Sequence, residues 1–281
     1  MAIKIITDSA SDINKAEAEK MGIHLLPIVI TFGEEEYFDG ENLMPTEFYD
    51  KLEACSDLPV TSQISPFRFE ETFEELTANG DQVIVITLSS KISGTYNNAK
   101  NVAENYKGKV FVIDSLNACI GQRLVVQYAL RLAQEGLGAE EIVEKVESAK
   151  TRVKLIAMID TLKYLKKGGR ISAAAAAIGG LVNLKPMISV IDGEVKVVGK
   201  TIGAKKAMQF INKEIEANGG VNFDMPYGVL WSGKSSENLD MWIEEHGEKF
   251  GLKGTENSYC LGGTIGTHIG SGAVGVAFFE K

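Results

Sequence analysis

Three polar stretches carry the residue types from which an anion site can be built. The first is Thr61, Ser62 and Gln63 after Pro59; the second is residues 89–95 (SSKISGT); the third is residues 262–272 (GGTIGTHIGSG). Residues 89–95 follow an apolar run and open a helical one, where unpaired N–H groups and the helix dipole favour negative charge. Ser93 can donate its hydroxyl to a ligand or cap that helix, and Gly94 allows close backbone approach. Five glycines, Gly270 among them, accompany His268 in the third stretch. An imidazole there can donate to a bound acid or act as a structural histidine. Ser93, His268 and either Asp8 or Asp114 make a triad on paper, but the sequence has no G-x-S-x-G elbow, no H-E-x-x-H and no clustered metal ligands.

Two nucleotide motifs match by letter and fail by context. Residues 228–235 (GVLWSGKS) fit the phosphate-loop pattern, yet the apolar run lies inside the motif, so bulky Val229, Leu230 and Trp231 would have to form the anion-cradling turn. Gly270, Gly272 and Gly275 fit G-x-G-x-x-G, but the six residues that follow read as strand, with no helix to receive a pyrophosphate.

The elements that position these stretches follow from hydrophobic patterning. Residues 3–7, 82–88 and 109–113 are apolar runs without polar alternation, each leading through a polar turn toward a helix, which predicts a parallel sheet covered on both faces. Residues 24–32 read as one further strand, and Ser65 before Pro66 starts a helix that Gly80 closes. After helices at 117–135 and 139–150 the pattern changes. Asp192-Gly193 between two β-rich runs predicts a hairpin and hence antiparallel pairing. Residues 204–217 and 236–250 read as helices, and 227–231 and 274–279 as strands. The expected fold is α/β in two domains: residues 1–150 with a mainly parallel sheet and helices on both faces, and residues 151–281 with a mixed sheet and helices.

Length and composition agree with two folded units: 281 residues, 44% hydrophobic and 24% charged. Residues 1–12 read as strand and turn rather than a secretory signal, and the Ala- and Gly-rich run 173–182 is about half the length a membrane span needs. Cys55, Cys119 and Cys260 show no disulfide or zinc spacing. A cytoplasmic protein without a membrane span is expected. A net charge of −9 argues against a nucleic-acid partner. Residues 150–170 are the local exception, with seven basic residues against one acid. That run is either a solvated face or a docking surface for an acidic partner or an anion.

Taken together, Thr7-Asp8-Ser9, Thr61-Ser62-Gln63, residues 90–99 (SKISGTYNNA), Asp114-Ser115, residues 167–171 (KGGRI) and residues 265–272 (IGTHIGSG) resemble the DegV family, and the likeness spans the chain. The resemblance implies a protein that is not an enzyme by itself and binds a long-chain fatty acid in an apolar tunnel between its domains, with no other cofactor. Thr61, Ser93 and His268 fall on the family's carboxylate-binding positions, with Ser62, Gly94 and Gly270 beside them. Arg170 falls on an entrance position associated with a partner, the ATP-binding subunit of a fatty acid kinase, which makes the acyl phosphate. Ser271 stands where the family commonly has Pro, and Cys119, Gln122 and Arg123 depart from its usual Ser and Gly, which bears on acyl-chain preference. Two other functions compete: a stand-alone kinase using residues 228–235, marked by ATP binding lost in Lys234→Ala, and an acyl ester hydrolase, marked by ester turnover abolished in Ser93→Ala.

Overall fold

The computed structural model describes residues 2–172, 183–248, 251 and 257–281. Runs of Val and Ile without polar alternation suit strands buried on both faces. Ile3–Asp8, Gln82–Thr87 and Val110–Asp114 are such strands, and they form a parallel sheet in the order His24–Leu26, Ile3–Asp8, Gln82–Thr87, Val110–Asp114. Ile5, Ile84 and Ile86 point to the face covered by helices Cys119–Gln134 and Ala139–Ala149. Ile6, Val83 and Val85 point to the other, under helices Pro66–Thr77 and Thr95–Ala103.

Residues 24–32 are two strands rather than the one expected. Pro27 lacks an N–H and cannot continue a ladder. His24–Leu26 stops before it, and Val29–Phe32 turns away to pair with Glu35–Phe38 and Val60–Ser62 in a small antiparallel sheet. The Ile28 N–H is taken instead by Ser9 Oγ at 3.0 Å.

From Val153 onward the described residues build a six-stranded mixed sheet. Its order is Glu194–Ile202, Leu184–Ile191, Val153–Met158, Val274–Phe279, Tyr227–Trp231, Ser258–Cys260, with the last pair parallel and the others antiparallel. The hairpin falls at Asp192 (φ 52°) and Gly193 (φ 81°), the left-handed conformations that a tight two-residue turn requires. Helices Ala204–Ala217 and Glu237–His246 cover the outer face, where buried Trp242 donates to Asn212 Oδ1 at 3.0 Å. The inner face carries Leu155, Ala157, Ile188 and Leu230, and these join Ile5, Ile84 and helix Cys119–Gln134 in one apolar cluster. The architecture is thus α/β, parallel in its N-terminal part and mixed in its C-terminal part, as expected.

Neither nucleotide motif forms its loop. Gly228 to Trp231 lie within strand Tyr227–Trp231, and Lys234 pairs with Asp50 and Glu53 rather than facing a phosphate cradle. Gly275 is inside strand Val274–Phe279. The basic run is not one surface either. Lys150 is buried and donates to Asp114 O, Arg152 donates to Glu280 O and Lys154 pairs with the Glu280 carboxylate, whereas Lys163, Lys166 and Lys167 are exposed on helix Lys163–Lys167. The apolar run 173–182 lies outside the described residues. Among the described residues no helix is long and apolar enough to cross a membrane.

Candidate functional site

A cavity of about 280 Å³ opens where the small antiparallel sheet, the turn after Gln82–Thr87 and the inner face of the six-stranded sheet meet. That is close to the lower end of the roughly 300–1,000 Å³ usual for small-molecule sites. Thr61, Ser62, Ser93, Gly94, Arg170 and His268 all line it. Gly270 is not among its lining residues. It ends helix Gly263–Ile269 at φ 72°, packed so closely on Tyr164 that a Cβ would overlap the ring.

Thr61 and His268 touch directly, and the other polar groups are held by their neighbours. Thr61 stands on strand Val60–Ser62 opposite Ile30, and its Oγ1 lies 3.0 Å from His268 Nε2, across 207 residues of sequence. With the proton on Nε2, His268 donates to Thr61, leaving the Thr61 hydroxyl free to donate to a third group. Gly168 abuts the other edge of the imidazole; a Cβ there would overlap His268 Nδ1. Arg170, half-buried, donates from Nη1 to Gly168 O at 2.5 Å and from Nε to Ile92 O at 3.3 Å, which ties it to both sides. Ser93 Oγ accepts from Thr95 N at 3.2 Å and lies 3.0 Å from Thr95 Oγ1, so it steadies the start of helix Thr95–Ala103 while facing the cavity. A Cβ on Gly94 would displace the end of the Gln63 side chain, which lies against it.

His268 is aimed by the clamp on the opposite end of its helix. Asp39, fully buried, accepts from Gly263 N and Thr264 N at 2.9 and 3.1 Å, and Asp12 accepts from Gly262 N at 2.6 Å. These carboxylates satisfy the helix's first free N–H groups and complement its dipole. Burial raises Asp39, raises Asp12 well above the usual carboxylate range and lifts Asp8 to about 6. On its far side, helix Gly263–Ile269 presents Gly263 and Gly266 to Phe48 of helix Pro45–Ala54, and Tyr49 donates to Leu261 O at 3.1 Å.

The remaining wall is apolar and comes from both halves, including Ile28, Leu88, Ile92, Leu155, Ala157, Ile188, Val190, Val195, Leu230 and Ile265. Those positions, with Gln63, Cys119 and Thr264, were not singled out as site residues from sequence. Gln63, Ile92, Thr264 and Ile265 had a signal, since they lie within the three polar stretches; the other wall residues had none. Of the departures from family pattern, Cys119 lines the cavity, whereas Gln122 bonds Thr7 and Asp8, and Arg123 pairs with Glu17.

Burial, reinforced by Arg170, pushes His268 down to about 4, so it is neutral at pH 7. Its folded pKa lies below its ordinary 6.5. As pH falls from 6.5 toward 4, the unfolded chain therefore takes up a proton that the folded chain refuses, and the stability from a neutral His268 is lost. Asp8 has the opposite sign: its raised pKa favours the fold at low pH, a contribution lost as pH rises through about 6. Since both proteins keep Asp8, the stability of wild type minus that of His268→Gln isolates the imidazole. That difference is expected to shrink by about 2–3 kcal/mol at most between pH 7 and pH 4 in urea unfolding. A difference independent of pH would show that His268 titrates normally.

The DegV family model, described as uncharacterised protein, DegV family, matches residues 2–281. A DegV domain-containing protein of Caldanaerobacter subterraneus is 37% identical, over 99% of each chain. Among solved structures, a DegV family protein from Thermus thermophilus, described by its fatty acid binding, superposes with a TM-score of 0.88 at 30% identity over all of both chains. DegV from Bacillus subtilis, a fatty acid binding protein, gives 0.85 at 32% over all of both chains. A stearic acid-binding protein from Eubacterium ventriosum gives 0.87 at 27%, covering all of this chain and 99% of that one.

Proposed function

We propose, from the premise that this chain belongs to the DegV family, that it binds one long-chain fatty acid between residues 1–150 and 151–281. In this reading it is the carrier component of a cytoplasmic fatty acid kinase system. The observation that supports it is the cavity's lining: Thr61 touches His268, Arg170 bonds the backbone of Ile92 beside Ser93, and most of the rest of the wall is apolar. Burying about fifteen methylenes at ~0.8 kcal/mol each gives a gross driving force near ~12 kcal/mol before ordering costs. The polar groups then need only orient the head. Thr61 and Ser93 hold the ionised carboxylate, with neutral His268 acting through the Thr61 hydroxyl that it donates to, and with Ser62, Gly94 and Gly270 shaping the loops around it.

One carboxylate oxygen faces outward and attacks the γ-phosphorus of ATP held by the kinase subunit. The bond from that phosphorus to ADP breaks, and an acyl phosphate forms, with Arg170 steadying charge at the entrance. The exposed Lys163, Lys166 and Lys167 supply a basic border to that entrance.

Native mass spectrometry of freshly purified protein tests the binding: one fatty acid of excess mass is expected, released by organic extraction. A folded protein that never takes up a fatty acid, even when palmitic acid is supplied, would end this reading. Acyl phosphate is expected when the kinase subunit and ATP are added, and less of it from Arg170→Ala that still carries ligand. Unchanged acyl phosphate formation would remove Arg170 from the chemistry.

A further inference from the structure

The inner face of the six-stranded sheet is not evenly filled. In-register neighbours share a face of a sheet, so Leu230, Gly275, Ala157 and Ile188 form one inward row across four strands. The two central places of that row carry a hydrogen and a methyl group, flanked by the large side chains of Leu230 and Ile188. The next row brings Leu155 beside Ala277, and Val190 beside Val195. A low stretch therefore lies in the sheet's inner face; of its two small places Ala157 lines the cavity, with the larger Leu155 two residues along the same strand. Helix Cys119–Gln134 packs over strands Val153–Met158, Val274–Phe279 and Tyr227–Trp231, and its start contributes Ala118 and Cys119 to the cavity. Small side chains thus line the cavity there as well.

Gly275 cannot widen or fill this low stretch. A Cβ there would overlap Ile156 O and come within 2.7 Å of Ala157 Cβ. Ala157 is the place where its depth can vary while the backbone stays as it is.

We infer that Ala157 sets the acyl-chain length this protein accepts, because its methyl group leaves room for ligand on a cavity wall that also carries the small Ala118 and Cys119. This rests on the fatty-acid reading above. Leucine at 157 adds three carbons and displaces about three ligand methylenes. At about fourfold per methylene, that is roughly fiftyfold in affinity.

The test is a titration of wild type and Ala157→Leu with decanoic, lauric, palmitic and stearic acids, with thermal unfolding as a check on folding. Ala157→Leu is expected to bind decanoic and lauric acids close to wild type and palmitic and stearic acids roughly fiftyfold more weakly. Ala157→Gly is expected to tilt the preference toward the longer chains. Should the leucine variant not fold, Ala157→Val carries the same test with a smaller shift. A profile identical to wild type, or a loss equal at every chain length, overturns the inference while fatty-acid binding by wild type stands. Failure of wild type to bind any of the four acids is a separate result that removes the binding reading and this inference together.

Discussion

His268→Ala protein is expected to leave purification without lipid and to bind palmitic acid roughly ten- to a hundredfold more weakly than wild type. The lost group is the partner of Thr61 Oγ1 at 3.0 Å, and its removal leaves the Thr61 hydroxyl, the proposed donor to the carboxylate, unaimed in a largely apolar cavity. Losing a neutral hydrogen-bonding group that supports a buried charge costs about 1.5–3 kcal/mol. Each ~1.4 kcal/mol is a factor of ten. His268→Gln keeps an N–H near the position of Nε2 and should recover part of the loss, whereas Thr61→Ala should fall between the two. Displacement of a fluorescent fatty acid measures all three. Equal affinities for wild type and His268→Ala would place the carboxylate elsewhere.

Gly266→Val is expected to harm stability and binding together. A Cβ at Gly266 would overlap Phe48 Cε1 and come within 3.0 Å of Tyr49 Oη, and both rings are fully buried. Phe48 packs edge-on against Tyr49, with centroids 5.0 Å apart, so neither can yield without disturbing the other. Overpacking a tight core costs typically ~1–3 kcal/mol, and two further carbons against an immobile ring put this variant near ~3 kcal/mol. The helix can relieve the clash by moving away from Pro45–Ala54, and that carries His268 off Thr61. A lowered urea midpoint with lipid lost is the expected result. A stable variant that keeps wild-type affinity would show that the helix is not held where Phe48 meets it.

Much of this was readable in the order of residues. Unbroken apolar runs at 3–7, 82–88 and 109–113 announced a parallel sheet, and Asp192-Gly193 announced the hairpin of the mixed sheet because few residue pairs tolerate two left-handed conformations in succession. Pro27 marked the break in residues 24–32, but it also suits an edge strand, so patterning did not reveal the switch between sheets. Thr61, Ser93 and His268 stood out as polar groups in glycine-rich or turn-forming surroundings. Nothing in their spacing placed Thr61 against His268; that meeting depends on Asp39 and Asp12 gripping the start of helix Gly263–Ile269. The apolar wall was least legible. Alternation at Leu155 and Ala157 tells that they share a face, but not that Ala157 registers with Gly275 and Ile188, because register is settled by strands from distant parts of the chain.

Ile5 and Ile84 of the first sheet and Leu155, Leu230 and Phe279 of the second belong to one continuous apolar cluster, bridged by helix Cys119–Gln134. Cutting the polypeptide between the two sheets would strip that helix of half its neighbours and leave each fragment with a large greasy face in water. The halves are therefore not interchangeable modules that evolution or an engineer can shuffle freely. They are expected to melt as partners, and in the proposed reading a fatty acid lodged along their seam would act as a third member of the same cooperative unit, raising the temperature at which all of it comes apart.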